Sequence, residues 1–158
     1  VPYCLMRGTA LAEGIGERLT RLPPMPDCHI LIAKPPVSVS TKLVYQALDA
    51  CRHLEHPPID AQLADLERQD LLALSHHMGN VLEHVTVPMH PEITQIRQMM
   101  LDQGAITARM SGSGPTVFGI FEAEERAVAA KESIRGSNLA RQVYVTRPYN
   151  VIPKEKKR

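Results

Sequence analysis

A glycine- and serine-rich segment at residues 110–121 constrains the fold more than any other part of the chain. Its sequence is MSGSGPTVFGIF, so four small residues precede an apolar run that contains β-branched side chains. Gly112 and Gly114 lack a Cβ and tolerate positive φ, which lets the backbone turn sharply and approach another surface closely. Ser111 and Ser113 add hydroxyl groups. The pattern predicts a tight loop that leads into a buried strand.

This Gly-Ser loop, residues 111–114, has two interpretations from its residues alone. It can be a structural turn before a strand, or it can contact phosphate or a segment that holds phosphate. It does not end in Gly-Lys-Ser/Thr, as a P-loop does, and it lacks the GxGxxG spacing of a dinucleotide-binding turn. The residues leave the choice between turn and phosphate contact open.

Strand and helix patterns alternate along the chain and predict an α+β layer structure, in which a split βαβ sheet packs helices on one face. Gly14 and Gly16 predict a hairpin within residues 8–21, and the prolines at 23–26 suggest a boundary between two lobes near residue 25. Strands are predicted at residues 28–34, 105–110, 116–121 and 142–146. Helices are predicted from residue 41, from Asp60 to Glu67, from Asp70 onward past Asn80 to Val85, from Pro91 to residue 103, and over 123–134.

The helix that follows residue 40 carries two candidate ligand-binding side chains near its start, Thr41 and Tyr45. Ser40 or Thr41 can cap this helix. The unpaired N–H groups of a helix start carry partial positive charge, so hydroxyls there can meet polar or anionic ligands. A capping Thr and a partly buried Tyr would produce the same pattern without any ligand.

Composition restricts the classes of function. The chain has 158 residues, 44% of them hydrophobic, and a net charge of +1, which argues against general nucleic-acid binding. The basic run at 151–158 is interpreted as a solvated tail. Three widely spaced cysteines predict no disulfide framework and suggest the cytoplasm, and no apolar run is long enough to span a bilayer.

Two histidine pairs, His53/His56 and His76/His77, invite a metal-site interpretation. Adjacent histidines on a helix point to different faces, and no carboxylate has the spacing of a zinc-binding helix. We therefore expect surface or loop histidines and no metal site. The chain also begins with Val1 rather than Met, and we expect that upstream sequence is missing and that residues 1–6 pair with strands outside this chain, so that the isolated chain aggregates readily.

Three separated segments form a recognisable set: VPYC at 1–4 with GTALAEGIGE at 8–17, KPPVSVST at 34–41, and MSGSGPTVFG at 110–119. Together they resemble the GHMP small-molecule kinases. The third segment resembles a motif shared across that family, and the first two resemble its branch that acts on diphosphocytidyl methylerythritol. The resemblance covers nearly the whole chain.

The resemblance implies a two-lobed kinase of non-mevalonate isoprenoid (terpenoid) biosynthesis that uses ATP with Mg²⁺ to phosphorylate a 2-hydroxyl. It implies that residues 1–25 are a remnant of the amino-terminal, ribosomal S5-like lobe and that residues 26–150 are the GHMP kinase C-terminal domain. Thr41 would contact the methylerythritol end of the substrate, Tyr45 would stack on cytosine, and residues 111–114 would face the phosphate loop of the other lobe.

The family's nucleotide loop, its amino-terminal Lys and its catalytic Asp are not found in the sequence, and the Asp would directly precede Val1. We therefore expect this chain alone to be inactive as a kinase, with a missing amino-terminal lobe as its partner and with neither nucleic acid nor membrane as a partner. Two alternatives stay open: another GHMP kinase of the mevalonate or homoserine type, and a non-catalytic ferredoxin-like binding module.

Overall fold

The computed structural model describes residues 2–52 and 54–150, so the predicted basic tail lies outside the described residues. Seven helices and six strands lie within those two ranges. In chain order they are α1 (Pro2–Met6), β1 (Ala10–Glu13), β2 (Arg18–Arg21), β3 (His29–Lys34), α2 (Thr41–Asp49), α3 (Ile59–Glu67), α4 (Leu71–His77), α5 (Glu83–Met89), α6 (Pro91–Asp102), β4 (Thr107–Met110), β5 (Val117–Phe121), α7 (Glu124–Gly136) and β6 (Gln142–Thr146).

Four of the strands form one antiparallel sheet in the order β4-β5-β3-β6. β5 lies between β3 and β4, with Leu31 opposite Gly119 on one side and Ala108 opposite Gly119 on the other. β6 pairs with the free edge of β3, where Leu31 lies opposite Val145. This order is that of a split βαβ unit, because the strands on either side of the helical crossover are separated by a third. The predicted ferredoxin-like α+β class is confirmed.

Helices α6 and α7 pack on one face of this sheet and form the core with it. Alternate residues of each strand point to that face, so the core consists of one residue in two from the strands and one stripe from each helix. Its fully buried members include Leu31, Val117, Phe121, Val143, Ile93, Ile96, Met100, Ala127 and Ile134. Helix α6 approaches closely at Gly119, where an added Cβ would lie 2.9 Å from the Met100 sulfur.

Local sequence explains where several helices begin. Ser40 caps α2 by accepting a hydrogen bond from the Leu43 N–H at 3.5 Å, and Asp70 caps α4 by accepting one from the Ala73 N–H at 3.0 Å. Pro91 occupies the first turn of α6, as predicted, and Gly104 follows its end with φ of +90°. The predicted starts of α2, α4 and α6 are confirmed.

The expectation that one helix continues from Asp70 to Val85 is wrong. Helix α4 ends at His77, the next residue is extended, and α5 begins separately at Glu83. The interruption has a local cause, because the Asn80 Oδ1 accepts a hydrogen bond from the Leu82 N–H at 3.0 Å and so offers the backbone an alternative to helix continuation.

In the first 21 residues, the predicted hairpin is present, but the segment before it differs from the prediction. β1 and β2 form the predicted hairpin, with Ala10 opposite Arg21. The segment expected to pair as a strand is instead helix α1, and the Arg21 guanidinium donates to the Met6 carbonyl at 3.0 Å. In the described ranges, no helix combines the length and the apolar character needed to cross a bilayer.

Candidate functional site

The Gly-Ser loop meets the start of α2 at one point, the side chains of Ser113 and Thr41. Their hydroxyl oxygens lie 2.8 Å apart, within hydrogen-bond distance. Thr41 is the first residue of α2 and is exposed, and Ser113 is half-buried between β4 and β5. Two segments 72 residues apart in sequence therefore form one polar surface.

The loop itself is a tight turn that requires glycine at two positions. The Gly114 N–H donates to the Ser111 carbonyl at 3.0 Å, and the Ser111 N–H donates across the hairpin to the Thr116 carbonyl at 2.8 Å. Gly112 has φ of +57° and Gly114 has φ of +85°, values that side chains disfavour. An added Cβ on Gly114 would also lie 2.6 Å from the Met110 sulfur.

Buried and half-buried side chains from α5 and the residues just before it hold this loop from behind. The Asn80 amide donates to the Met110 carbonyl at 2.9 Å and to the Gly112 carbonyl at 2.8 Å. The fully buried Thr86 hydroxyl donates to the Ser113 carbonyl at 3.1 Å. The sequence interpretation missed both residues, and an Asn and a Thr in an expected continuous helix provide no signal for this role.

A charged pair adds to the same support. One Glu83 carboxylate oxygen accepts from the Met110 N–H at 2.6 Å, and the other lies 3.3 Å from the Arg97 guanidinium. Arg97 also donates to the Ala108 carbonyl at 3.0 Å. Both side chains are mostly shielded from solvent, so the pair ties α5 and α6 to strand β4 with charge-assisted hydrogen bonds.

Tyr45 lies one helical turn after Thr41, on the same face of α2. Its side chain is 51% exposed, so an aromatic surface is available beside the Thr41–Ser113 pair. Among the predicted site residues, the structure brings Thr41 and the loop into contact and places Tyr45 on the adjoining turn.

A separate concave region is lined in part by the residues that support the loop. It is a cleft of about 450 Å³ whose lining includes His56, His77, His84, Asn80, Glu83 and Arg97. The His77 Nδ1 lies 2.5 Å from the buried Asp65 carboxylate, which also pairs with Arg68. No cluster of three or more metal-ligating side chains occurs in the described part of the chain, and His53 lies outside it.

The three cysteines differ in environment. Cys4 and Cys51 are exposed, and Cys28 is buried just before β3. Burial raises the pKa of the Cys28 thiol to about 11, and the neighbouring Asp27 carboxylate acts in the same direction, while Arg147 partly opposes both. The Cys28 thiol is therefore protonated at neutral pH and poorly nucleophilic.

Residues 62–139 match the family described as "GHMP kinases C terminal". The chain carries a GHMP kinase C-terminal domain. The matched residues run from within α3 to just past α7 and include β4 and β5, whereas β3 and β6 of the same sheet lie outside them. The match includes the third of the three sequence segments, at 110–119, and with the relatives described next the family resemblance is confirmed.

Two curated relatives of this chain are named 4-diphosphocytidyl-2-C-methyl-D-erythritol kinase. One, from Lachnospira eligens, is 58% identical over 149 residues, which cover 94% of this chain and 52% of the relative. The other, from Lachnoclostridium phytofermentans, is 51% identical and is covered over 50% of its length. The chain thus spans about half the length of the curated relatives it matches.

Solved structures agree with the domain assignment. A crystal structure of 4-(cytidine 5'-diphospho)-2C-methyl-D-erythritol kinase matches with a TM-score of 0.77 at 29% identity, covering 95% of this chain and 53% of that one. A homoserine kinase from Cytophaga hutchinsonii matches with a TM-score of 0.73 at 20% identity, over 95% of this chain and 50% of that one. The second match concerns the fold alone.

Proposed function

We propose that this GHMP kinase C-terminal domain serves a small-molecule kinase that transfers a phosphoryl group from ATP to the 2-hydroxyl of 4-diphosphocytidyl-2-C-methyl-D-erythritol. The names of the relatives at 58% and 51% identity support the choice of substrate. The observation that carries the proposal is the 2.8 Å contact between Thr41 and Ser113, because it brings the two candidate ligand-binding segments together.

The proposal divides the chain between two lobes. Residues 1–25, with the β1–β2 hairpin, would belong to the amino-terminal lobe, and residues 26–150 would form the carboxyl-terminal lobe. The nucleotide-holding loop would lie in the other half of such a kinase, since the chain spans about half of its relatives. Mg²⁺ would arrive bound to ATP as part of that substrate.

Thr41 and Tyr45 would hold the acceptor substrate. The Thr41 hydroxyl can donate to or accept from a substrate hydroxyl, and the Thr41–Ser113 contact limits where that hydroxyl points. The exposed Tyr45 ring offers a flat apolar face one turn away, which suits stacking on a cytosine ring. The site would thereby recognise both ends of the substrate with one helix.

Residues 111–114 would close the site on the phosphate side. Phosphoryl transfer depends on holding the two reactants in line and on stabilising charge on the transferring oxygens. A loop whose backbone is fixed by buried partners suits this role better than a mobile loop, because its donors need not reorganise during the reaction.

Binding measurements on the 158-residue chain test the proposal. We expect calorimetric titration to detect 4-diphosphocytidyl-2-C-methyl-D-erythritol and CDP, and to detect neither mevalonate nor homoserine. Replacement Tyr45→Ala should weaken binding of both cytidine ligands about 10- to 100-fold, the usual range for one base stacked on an aromatic ring.

The matched control is Tyr144→Ala, because Tyr144 is a comparably exposed tyrosine on β6. We expect its affinity for the cytidine ligands to equal that of the parent chain. Equal losses in the two variants would contradict the assignment of Tyr45. Tight binding of mevalonate or homoserine would instead favour another GHMP kinase, and binding of none of these ligands would favour a non-catalytic module.

A further inference from the structure

Asn80 lies in the bend between α4 and α5, and its side chain makes three hydrogen bonds. Its Nδ2 donates to the carbonyls of Met110 and Gly112, at 2.9 and 2.8 Å. Its Oδ1 accepts from the Leu82 N–H at 3.0 Å. Both amide protons and one acceptor site are used, so these bonds fix the orientation of the amide group.

The bonds from Asn80 and its neighbours orient three carbonyl groups of residues 110–113. These carbonyls are turned inward: those of Met110 and Gly112 accept from Asn80, and that of Ser113 accepts from Thr86. The Ser111 carbonyl accepts within the loop from the Gly114 N–H. All four carbonyls of residues 110–113 therefore have protein partners.

Two of the four backbone N–H groups of the loop, those of Ser111 and Gly114, donate within the hairpin, and the other two do not. Within the described residues, the backbone N–H groups of Gly112 and Ser113 have no protein acceptor. Successive N–H groups beside a residue of left-handed conformation form a small concavity that binds anions, and Gly112 has φ of +57°. The Ser113 hydroxyl, paired with Thr41, lies at the edge of this concavity.

We propose that Asn80 is a positioning residue that keeps the N–H groups of Gly112 and Ser113 facing out of the loop, where they bind phosphate oxygens. The identification of those oxygens with a ligand of the kinase rests on the proposed function; the orientation of the loop does not. Without the bond from Asn80, the Gly112 carbonyl loses its inward partner, and the peptide unit between Gly112 and Ser113, which carries the Ser113 N–H, is free to rotate. The Gly112 N–H shares a peptide unit with the Ser111 carbonyl, which the Gly114 N–H holds, so Asn80 acts on it only through the adjoining backbone.

Two variants of Asn80 separate its bonds to the loop carbonyls from its bond to the Leu82 N–H before α5. Asn80→Ala removes all three hydrogen bonds. Asn80→Ser retains a short oxygen acceptor for the start of α5, as serine does at helix starts, but has no amide group to reach both loop carbonyls. Gln62→Ala is the matched control, because it removes one side-chain bond, of 2.8 Å, to the His77 carbonyl at the carboxyl-terminal end of α4, outside the loop.

Amide hydrogen exchange followed by NMR is the first measurement. Exchange of the Ser111 and Gly114 N–H groups should rise about tenfold in both Asn80 variants, as the loss of one or two hydrogen bonds predicts, and should not change in Gln62→Ala. If Asn80→Ser exchanges like the parent chain, Asn80 serves only the start of α5 and the proposal fails.

Titration with inorganic pyrophosphate is the second measurement, with sodium chloride at equal ionic strength as the reference. In the parent chain, pyrophosphate should shift the Gly112 and Ser113 amide resonances, and its affinity should fall about tenfold or more in both Asn80 variants. Absence of these shifts in the parent overturns the proposal. If the shifts occur but no cytidine ligand binds, the proposed function fails and the role of Asn80 stands. ATP and the cytidine substrate, titrated separately, identify which one supplies the phosphate oxygens.

Discussion

The β1–β2 and β4–β5 hairpins have similar glycine-containing loops but are supported in different ways. Each loop contains two glycines separated by one residue, Gly14 with Gly16 and Gly112 with Gly114. All four glycines have positive φ, of +66°, +90°, +57° and +85° in chain order. The sign of φ at these glycines therefore does not distinguish the two loops.

The first hairpin is closed by its own residues. The Glu17 carboxylate accepts from the Ile15 N–H at 2.7 Å, and the Gly16 N–H donates to the Glu13 carbonyl at 3.1 Å. Ile15 is 98% exposed, so no other element covers this turn. Its geometry is set within five residues.

The second hairpin is closed by residues about 30 positions away. Asn80, Glu83 and Thr86 bond to its backbone, and the Thr86 side chain is fully buried. The same glycine spacing therefore produces an exposed turn in one place and a braced loop in the other. The difference shows that a glycine pattern predicts a turn, whereas the packing behind it decides whether the turn can hold fixed donors.

The largest contrast should come from adding one methyl group to each loop. Gly114→Ala combines positive φ with a buried contact against Met110, so we expect it to destabilise the fold by about 3 kcal/mol. Gly16→Ala has the same strain but no atom within 4 Å of the new Cβ, so about 1 kcal/mol is expected. Urea unfolding of both variants measures the difference, and equal losses would show that the second loop is not braced.

The next comparison is between the thiol reactivities of Cys4 in α1 and Cys28 just before β3. At pH 8, the buried Cys28, with its pKa raised to about 11, should react with an alkylating reagent about a hundredfold more slowly than the exposed Cys4. Mass mapping of the labelled chain measures this, and rapid labelling of Cys28 would mean that the start of β3 opens readily. Below the unfolded pKa of 9.0 the protonated Cys28 thiol also stabilises the fold, and this contribution is lost as the pH rises towards 11.

A smaller contrast should come from removing one side-chain hydroxyl at each of the two hairpins. Thr86→Val leaves the Ser113 carbonyl without its buried donor, so a cost of about 1–2 kcal/mol is expected. Thr20→Val lies on the exposed side of β2 and should change stability by less than about 0.5 kcal/mol. The two free energies of unfolding are the measurement. A cost for Thr86→Val no larger than for Thr20→Val would remove Thr86 from the support of the loop.

Much of the fold could be predicted from local patterns. Apolar runs predicted strands β3, β5 and β6. The starts of three helices were predicted by the caps at Ser40 and Asp70 and by the proline at the start of α6. These features work because capping, turn geometry and alternation act over a few residues. The break between α4 and α5 escaped prediction, since it depends on a side-chain bond that competes with helix continuation.

Some residues of the candidate site could likewise be predicted from local sequence, and others could not. Thr41, Tyr45 and residues 111–114 could be chosen from their sequence motifs, and their roles as ligand contacts stay predictions. Asn80, Glu83 and Thr86 could not be chosen, because nothing in their own sequence surroundings reveals that they lie behind the loop.

The amino-acid sequence by itself determined the turns, the helix starts and the alternation of buried and exposed strand residues, because these depend on neighbours along the chain. Only the tertiary structure decided that Thr41 meets Ser113 and that Asn80 turns the loop carbonyls inward. Those contacts join residues 30 to 72 positions apart, and they form only after the sheet and its helices have brought distant segments together.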